Sequence, residues 1–445
     1  MTTLALPEPV RAALSALESA GYPAYVVGGC VRDGLRGLTP HDWDVCTAAR
    51  PAQVHQALDA EFSVRDTGLR HGTVTAVHDK LHIEITTYRV EGAYTDGRHP
   101  DEVHFVDCVE DDLARRDFTV GAMAYSPVRG LHDPFGGQRD LEAGVLRCVG
   151  DPDARFREDG LRIARGMRLA AEHGFTVEPL TAAAMERQAS LLDRIAPERI
   201  AVELTRLLTG RYAGHALRAF RTVLGRMLPE LVPMYDLPQQ NRHHRYDVWE
   251  HTVRAVEQVP AEPLLRWAML LHDCGKPACK SVDERGVGHF YGHPAVSKQL
   301  TMHIVSRLRF STAFANDLLL LVEQHDRPLG EDEKAVRRRL SRIGEAHFRA
   351  LLAIKKGDCV GQETNPRYLA DLCRTARLLE DILARAQCFS LRQLAIDGND
   401  MLAIGLRGSE IGRALDRALE HVLEHPQDNR KDILLALVRG RQTGG

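Results

Sequence analysis

The sequence has little of what marks secreted, membrane-spanning or disulfide-linked proteins. Its nine cysteines are scattered and form no Cys-x-x-Cys pair, which predicts free thiols in a reducing cytosol and neither a disulfide framework nor a zinc site. It has no charged-then-apolar leader and no long uncharged apolar run. We therefore expect neither secretion nor membrane insertion, and a cytoplasmic location.

Aromatic residues are also scarce, and neither sign of charge is in large excess. Aromatics make up 6% of the chain and the formal net charge is −3, which excludes a uniformly basic nucleic-acid binder but not a local basic stripe. The 44% hydrophobic and 27% charged residues are typical of a globular protein. Because 445 residues exceed one hydrophobic core, we expect about two to four domains.

The spacing of apolar residues along the sequence changes near residue 150. Short β-type runs alternate with helical spacing before that point, at 24–27, 44–46, 73–77 and 82–87. Only helical patterns follow, including 153–173, 180–194 and 197–209, and the polar run 233–244 predicts a linker. We predict an α+β fold whose domains are a small α/β domain followed by helical domains, at 1–145, 146–235, 245–361 and 362–445.

Two short motifs in the first domain suit phosphate and metal binding. Gly28-Gly29 follows a strand and precedes a helix with Arg32; such glycines let backbone N–H groups approach phosphate oxygens, to which an arginine adds bidentate contacts. Asp42 and Asp44 are two residues apart at the next strand, so both carboxylates would point to one face.

A third carboxylate on that face would complete a two-metal site. Adjacent carboxylates repel unless a cation lies between them, and Mg²⁺ is the hard cation that prefers oxygen ligands. Glu84, among β-branched neighbours on the strand 82–87, is the candidate; alternatively it faces water on an edge strand. Two metals there would activate a 3′-hydroxyl and stabilise the leaving pyrophosphate.

Several motifs in order resemble the class II tRNA nucleotidyltransferase and bacterial poly(A) polymerase family, over about residues 10–230. They are VGGCVRD (27–33) with DWD (42–44), RRDFT (115–119), DPFGG (133–137), EDGLR (158–162) and PERI (197–200). The resemblance implies a polymerase-β-like head at 1–145 and an all-helical neck that selects the nucleotide and binds RNA at 146–235. The tail at 362–445 would bind tRNA.

The resemblance also implies a role for each matched position. The triphosphate would be held by Gly28, Gly29 and Arg32, and magnesium by Asp42 and Asp44. The residues expected to contact the incoming nucleotide are Arg116, Asp117, Asp159, Arg162, Arg165 and Arg168. The implied partners are tRNA, CTP and ATP, and no protein partner is predicted.

The spacing of Asp159 and Arg162 predicts how a base could be chosen. Residues three apart lie on one helix face, where an acceptor beside donors matches the amino group and ring nitrogen of cytosine or adenine. Uracil and guanine present a carbonyl and a ring N–H, and each unpaired buried group costs about 1–3 kcal/mol. The alternative is an exposed ion pair of little energetic value.

Three activities within the family remain open: full CCA addition, addition of only CC or only A, and poly(A) tailing. The polar, glycine-containing segment 89–100 predicts the mobile loop that CC-only enzymes of the family lack. The chain has no basic run at its end, unlike many poly(A) polymerases. One departure is Gly121, where the family usually has Asn, which puts local order at the second motif in doubt.

The helical part contains a second set of metal-ligand residues. His251, the pair His272-Asp273 and Asp358 occur in the order His…His-Asp…Asp, which resembles the HD phosphohydrolase superfamily. His293 and His325 match the additional ligands of some members. The resemblance implies an HD domain at 245–361 that holds a divalent metal, Ni, Mn, Fe or Mg, and favours an active phosphatase or phosphodiesterase over a relic.

A different class of function would centre on this second site. In that hypothesis the protein is an HD signalling hydrolase whose N-terminal domain only binds nucleotides. It predicts a damaged Asp-x-Asp pair, whereas Asp42 and Asp44 are both present. The sequence therefore favours the nucleotidyltransferase.

Overall fold

The computed structural model describes residues 4–59, 61–92, 102–241, 245–362 and 366–440. It divides into two compact units, Met1–Pro229 and Glu230–Gly445. All nine cysteines are free. Among the described residues, no helix combines the length and apolarity that crossing a membrane requires.

The first unit begins with a mixed β-sheet. Its strands, in chain order, are β1 (Ala24–Val27), β2 (Trp43–Thr47), β3 (Ser63–Gly68), β4 (Thr73–His78), β5 (Leu81–Thr87), β6 (Arg89–Glu91), β7 (Val103–Phe105), β8 (Ala124–Ser126) and β9 (Gly130–His132). The main sheet has the order β3-β4-β5-β2-β1-β8-β9, while β6 pairs with β7 separately. Its neighbouring strands are antiparallel except β2 and β5, which are parallel.

Both faces of this sheet contribute to a hydrophobic cluster. Successive residues of a strand point to opposite sides, so neighbours in β1 belong to different clusters. Val26, Val45 and Ile85 pack into the larger core with residues of the first and third helices, whereas Tyr25 and Val27 belong to a second cluster. The helices of this part are α1 (Glu8–Ser19), α2 (Gly29–Leu35), α3 (Pro51–Leu58), α4 (Val109–Ala114) and α5 (Gly137–Glu142).

The rest of the first unit is helical, apart from the two-residue strands β10 (Val145–Leu146) and β11 (Thr176–Val177). Its helices are α6 (Pro152–Glu158), α7 (Leu161–His173), α8 (Pro179–Arg187), α9 (Pro197–Thr209), α10 (Ala213–Ala219) and α11 (Arg221–Met227). The prediction of one helix over 153–173 is wrong, since the chain is extended at Asp159. At Gly160 a Cβ atom would lie 2.8 Å from Cβ of Leu191, so this break allows close packing.

The second unit is mostly helical. Its elements are α12 (Val248–Gln258), α13 (Pro263–Leu271), α14 (Lys276–Cys279), β12 (Ser281–Val282), β13 (Gly288–His289), α15 (His293–Arg307), α16 (Thr312–Gln324), α17 (Glu333–Gln362), α18 (Pro366–Ala384), α19 (Gly398–Ala403), α20 (Ser409–Glu424) and α21 (Lys431–Arg439). A kink at Gly344 interrupts α17. The predicted α+β class, a sheet domain followed by helices, is confirmed.

The prediction of a linker over 233–244 is wrong for residues 233–241, the part of it that the structure describes, because they pack within the second unit. Gln239 is buried, accepts a hydrogen bond from Nζ of Lys276 at 2.9 Å, and donates one to the carbonyl of Tyr246 at 3.1 Å. A buried amide needs such partners, because leaving it unpaired is costly. The division between the units falls earlier, after Pro229.

We predict that Gly137→Ala destabilises the first unit. The backbone N–H of Gly137 donates to Asp133 at 2.7 Å, and an added Cβ would lie 2.2 Å from the carbonyl oxygen of Thr119. The clash with backbone should cost about 1–3 kcal/mol or more. Urea denaturation measures it, with Gly412→Ala as control, because a Cβ there meets nothing within 4 Å. A loss no larger than in the control would contradict the packing described.

Candidate active site

The parallel pairing of β2 and β5 brings two predicted carboxylates together. Asp44 and Glu84 are direct partners in the ladder, so their side chains share one face of the sheet. Asp42 lies just before β2, so the prediction that it shares the strand with Asp44 is wrong. Burial raises the pKa of the Asp44 carboxyl, Arg116 lowers it, and Glu84 and Asp42 raise it further. The three carboxylates therefore interact electrostatically.

The glycine turn brings an arginine close to the backbone. Gly28 has a φ of 81°, and a Cβ added there would lie 2.9 Å from Nη1 of Arg116. Gly29 begins α2. Arg32 forms a bidentate pair with its neighbour Asp33, with Nε–Oδ1 at 2.8 Å and Nη2–Oδ2 at 3.0 Å. A phosphate would have to share the Arg32 guanidinium with Asp33.

Asp112 is a site residue that the sequence analysis missed. Its side chain is fully buried and accepts hydrogen bonds from Nη2 of Arg115 at 2.8 Å and Nη2 of Arg116 at 3.5 Å. It also accepts one from the backbone N–H of Arg89, at the start of β6, at 3.4 Å. In the sequence, Asp112 lies three and four residues before Arg115 and Arg116, a spacing at which helical side chains can meet. That spacing could have indicated the contact.

Asp117 is the centre of a second charged network. Its Oδ2 lies 3.4 Å from Nη1 of Arg165, and Arg168 pairs with Glu203 at 2.6 Å and with Glu172 at 2.6 Å. Although burial opposes ionisation, Arg165, Arg162 and Arg116 lower the pKa of the Asp117 carboxyl. Arg168 thus has two carboxylate partners within the protein.

Asp159 and Arg162 do not share a helix face, which corrects the reason given for their role. Asp159 lies between α6 and α7, where it accepts the N–H of Leu161 at 3.0 Å and faces Arg199 at 3.4 Å. Arg162 is buried in α7 and donates to the carbonyls of Arg155 at 3.1 Å and Arg115 at 3.0 Å.

A cleft of about 360 Å³ adjoins these residues. Its lining includes Leu161, Arg165 and Arg199. Arg199 contacts Asp159, and Arg165 contacts Asp117. Of the nucleotide-binding candidates, Arg165 lines this cleft, and Asp159 is connected to it through Arg199.

Gly121, where the family usually has asparagine, lies close to Arg116 and Asp117. The carbonyl of Gly121 accepts a hydrogen bond from Arg116 at 3.5 Å, and a Cβ there would lie 3.7 Å from Oδ1 of Asp117. An asparagine would thus have room for its Cβ beside Asp117.

The prediction of a mobile loop at 89–100 concerns mainly residues 93–100, which lie outside the described residues. Of the rest, Arg89–Glu91 form β6.

The second unit brings the His and Asp candidates into one buried cluster. Nε2 of His251 lies 3.4 Å from Asp273 and 3.0 Å from Asp358, and Nε2 of His272 lies 3.2 Å and 3.6 Å from the same two carboxylates. Within the described residues, one group of ligand atoms within 4.8 Å of one another consists of His251, His272 and Asp273.

Asp273 also belongs to a second such group, with His293 and His325. Its Oδ1 lies 3.2 Å from Nε2 of His293 and 3.9 Å from Nε2 of His325. The two ligand groups therefore share one carboxylate. Each group could hold a metal ion, and either ion would be bound by Asp273.

Backbone carbonyls orient three of these imidazoles. Nδ1 of His272, His293 and His325 lies 2.7 Å, 2.9 Å and 2.7 Å from the carbonyl three residues earlier in each case. Because each Nδ1 donates to a carbonyl, Nε2 is the nitrogen that faces the carboxylates and that a neutral imidazole would offer to a metal. Nε2 of His272 is buried without a hydrogen bond of acceptable geometry.

The charge of the cluster also favours a cation. Although burial disfavours the charged imidazole, Asp273 and Asp358 raise the pKa of His272 to about 10. A proton thus compensates the carboxylates when no metal does so. The cluster opens into a cavity of about 860 Å³, also lined by Lys276, Arg285 and Tyr291.

We predict that Asp112→Asn lowers stability at pH 7 by about 3–5 kcal/mol, because it removes the buried counter-charge of two partly buried arginines. Although burial opposes ionisation, Arg115 and Arg116 lower the pKa of the Asp112 carboxyl. A depressed folded-state pKa stabilises above the unfolded value, about 3.9, and that stabilisation is lost as pH falls below it.

Urea unfolding from pH 7 to pH 3 tests this, with the exposed neighbour Asp111→Asn as control. The deficit of Asp112→Asn relative to the wild type should shrink below about pH 4. An equal deficit in both variants at pH 7 would contradict the role of Asp112.

Comparisons with family models, sequences and solved structures show what the chain is similar to. The sequence matches the family model of the poly A polymerase head domain over residues 24–147, and that of the probable RNA and SrmB-binding site of polymerase A over residues 174–233. In structure, the chain is similar to the Bacillus stearothermophilus CCA-adding enzyme in complex with CTP, with a TM-score of 0.74, 26% identity and 98% of both chains covered.

Similarity in sequence extends to lactic acid bacteria. The chain is 45% identical over 212 residues to the CCA-adding enzyme of Limosilactobacillus fermentum, and this covers 48% of the chain and 52% of that protein, about half its length. It is 36% identical over 313 residues to the CCA-adding enzyme of Levilactobacillus brevis, which covers 70% and 73%. The chain therefore belongs to the class II CCA-adding enzyme and poly(A) polymerase family.

Proposed function

We propose that the first unit adds C, C and A to the 3′ end of tRNA, without a nucleic-acid template, from CTP and ATP. The observation that carries the proposal is the side-by-side pairing of Asp44 and Glu84, with Asp42 close enough to affect the pKa of Asp44. The CCA-adding names of the relatives favour this activity over poly(A) tailing.

The carboxylates fit magnesium because like charges held together on one sheet face need a cation between them. Asp42, Asp44 and Glu84 would hold it. Magnesium bound there would activate the 3′-hydroxyl and stabilise the pyrophosphate that leaves. Arg116, fixed by Asp112 above Gly28, and Arg32 would bind the triphosphate, with Asp117 positioned beside Arg165.

Base choice would fall to Asp159 and Arg162, which we place in the role of a protein template. Their present partners are Arg199 and Glu158, so the base edge would replace or share those contacts. The amino group of cytosine or adenine would donate to Asp159, and the ring nitrogen would accept from Arg162. Addition of only A, addition of only CC and poly(A) tailing are the alternatives, and each leaves a different product length.

We predict that Asp44→Asn lowers nucleotide incorporation by at least about 1,000-fold, because the variant loses a magnesium ligand at the reacting centre. Primer extension on tRNA that ends before CCA measures it, with RNA binding assayed in parallel. Asp66→Asn is the control, since Asp66 is an exposed carboxylate on β3. Incorporation above a few per cent of wild type, or an equal loss in the control, would contradict the assignment.

We further propose that the second unit is an HD-type phosphohydrolase that binds Ni, Mn, Fe or Mg. The supporting observation is Asp273 shared between two groups of oriented ligand atoms. A metal bound there would act as a Lewis acid on a phosphate ester. Lys276, 2.7 Å from Asp273, and Arg285 would attract the anionic substrate into the cavity. An HD signalling hydrolase with an inactive first unit would show hydrolysis but no nucleotide incorporation.

His272→Ala should abolish phosphodiester hydrolysis and reduce bound metal, since loss of supporting groups alone weakens metal binding about 10–100-fold. Nucleotide incorporation should stay near wild type. Metal content by mass spectrometry and hydrolysis of bis(p-nitrophenyl) phosphate measure the effect, with the exposed His303→Ala as control. A wild-type protein that neither binds metal nor hydrolyses with any of the four cations would refute the proposal.

A further inference from the structure

A cleft in the second unit is lined by four cationic side chains that neither proposed site uses. Its volume is about 500 Å³, and its lining includes Lys298, Arg327, Arg339 and Arg342. We refer to it as the arginine cleft. Arg339 and Arg342 are three residues apart on α17, so both reach the same side of that helix. Arg327 follows the end of α16.

Within the part of the chain that the structure describes, the three arginines of this cleft form no close ion pair, although Arg327 interacts electrostatically with Glu323 in the lining. Among the described residues, Arg327, Arg339 and Arg342 have no carboxylate partner within 4.0 Å. The one acidic residue in the lining, Glu323, pairs with Lys298 at 2.9 Å. The neighbours of Arg339 along α17 differ, because Arg337 pairs with Glu333 at 3.1 Å and Arg338 pairs with Glu424. Among the described residues of α17, Arg337 and Arg338 thus have carboxylate partners that Arg339 and Arg342 lack.

Arg339 is the least satisfied of these side chains. Its Nη2 donates to Gln324 at 2.8 Å, but its Nε is buried and has no hydrogen-bond partner. Burial, together with Arg327 and Arg342, lowers the pKa of the Arg339 guanidinium. A buried donor without an acceptor destabilises the folded state, so an anion that reached the cleft would relieve both the missing hydrogen bond and the repulsion.

The shape of the cleft narrows the chemistry of that anion. Leu319, Leu320 and Ile343 form an apolar part of the lining, and guanidinium groups favour phosphate oxygens because their donors form paired contacts. A lone carboxylate carries one charge and would compensate one arginine only. A phosphate ester would match several arginines and could rest its sugar or base on the leucines.

We infer that the arginine cleft is a phosphate-binding site for a phosphate ester, whose source is either the backbone of an RNA strand or a free polyphosphate. The inference goes beyond the two proposed activities, since none of the lining arginines belongs to either site. It also explains how a chain of net charge −3 can present a local surface for anions.

The test uses the full chain with the double variant Arg339→Gln/Arg342→Gln. Arg338→Gln is the matched control, because Arg338 lies on the same helix but pairs with Glu424. A fluorescent RNA hairpin that resembles a tRNA acceptor stem is titrated at 50–200 mM KCl. Tripolyphosphate is titrated by calorimetry in saturating CTP, which occupies the nucleotide site of the first unit.

If the cleft binds RNA, the double variant should bind the hairpin about 10-fold more weakly, and the slope of log affinity against log salt should fall by about two. If it binds free polyphosphate, RNA binding should stay unchanged while the double variant loses one tripolyphosphate-binding event that the control retains. The control should retain both. Equal binding of both probes by the double variant and the control would overturn the inference.

Loss of folded protein would not account for the expected loss of binding. Because Arg339 and Arg342 repel each other, their replacement should leave the melting temperature unchanged or higher. If the double variant were less stable, Arg327→Gln provides the same comparison, since Arg327 is exposed and reaches the same cleft. A loss of binding in Arg338→Gln as large as in the cleft variants would also contradict a specific site.

Discussion

The arrangement of the first unit depends on one register, the parallel pairing of β2 with β5. That ladder fixes the backbone of Asp44 beside that of Glu84, so the two carboxylates start from one face of the sheet and repel each other when they are close. The surrounding charges follow from it. Burial raises the pKa of Asp44 and Arg116 opposes that rise, while buried Asp112 holds Arg116 near the Gly28 turn. The negative charge that remains would be compensated by a divalent cation.

The second unit uses the same principle with different ligands. Asp273 is buried among four imidazoles, three of which are oriented by backbone carbonyls, and Lys276 alone supplies a permanent positive charge at 2.7 Å. At the arginine cleft the sign is reversed, since among the described residues three of its arginines have no carboxylate within 4.0 Å. In each case the protein leaves an electrostatic imbalance that a ligand of opposite sign would remove.

The sequence predicted the parts of this account that depend on residue order and strand alternation. Gly28-Gly29, Glu84 and the His and Asp ligands could be found that way, because motif spacing and period-two alternation persist in the fold. Asp159 could not be placed correctly, since a spacing of three looks helical whether or not the helix breaks at Gly160. Asp112 and Arg339 were missed because their significance lies in which neighbours they have or lack, and one-dimensional patterns do not contain that information.

The central claim is that the first unit builds CCA on tRNA and that the protein itself selects the nucleotide. The most direct measurement incubates the wild-type protein and Mg²⁺ with tRNA that lacks its last three nucleotides, supplies each NTP alone and then CTP with ATP, and resolves products at one nucleotide. The account predicts two additions with CTP alone, three with CTP and ATP, and none with UTP or GTP. A product extended only by A, a long poly(A) tail, or incorporation of UTP and GTP at the rate of CTP would contradict it.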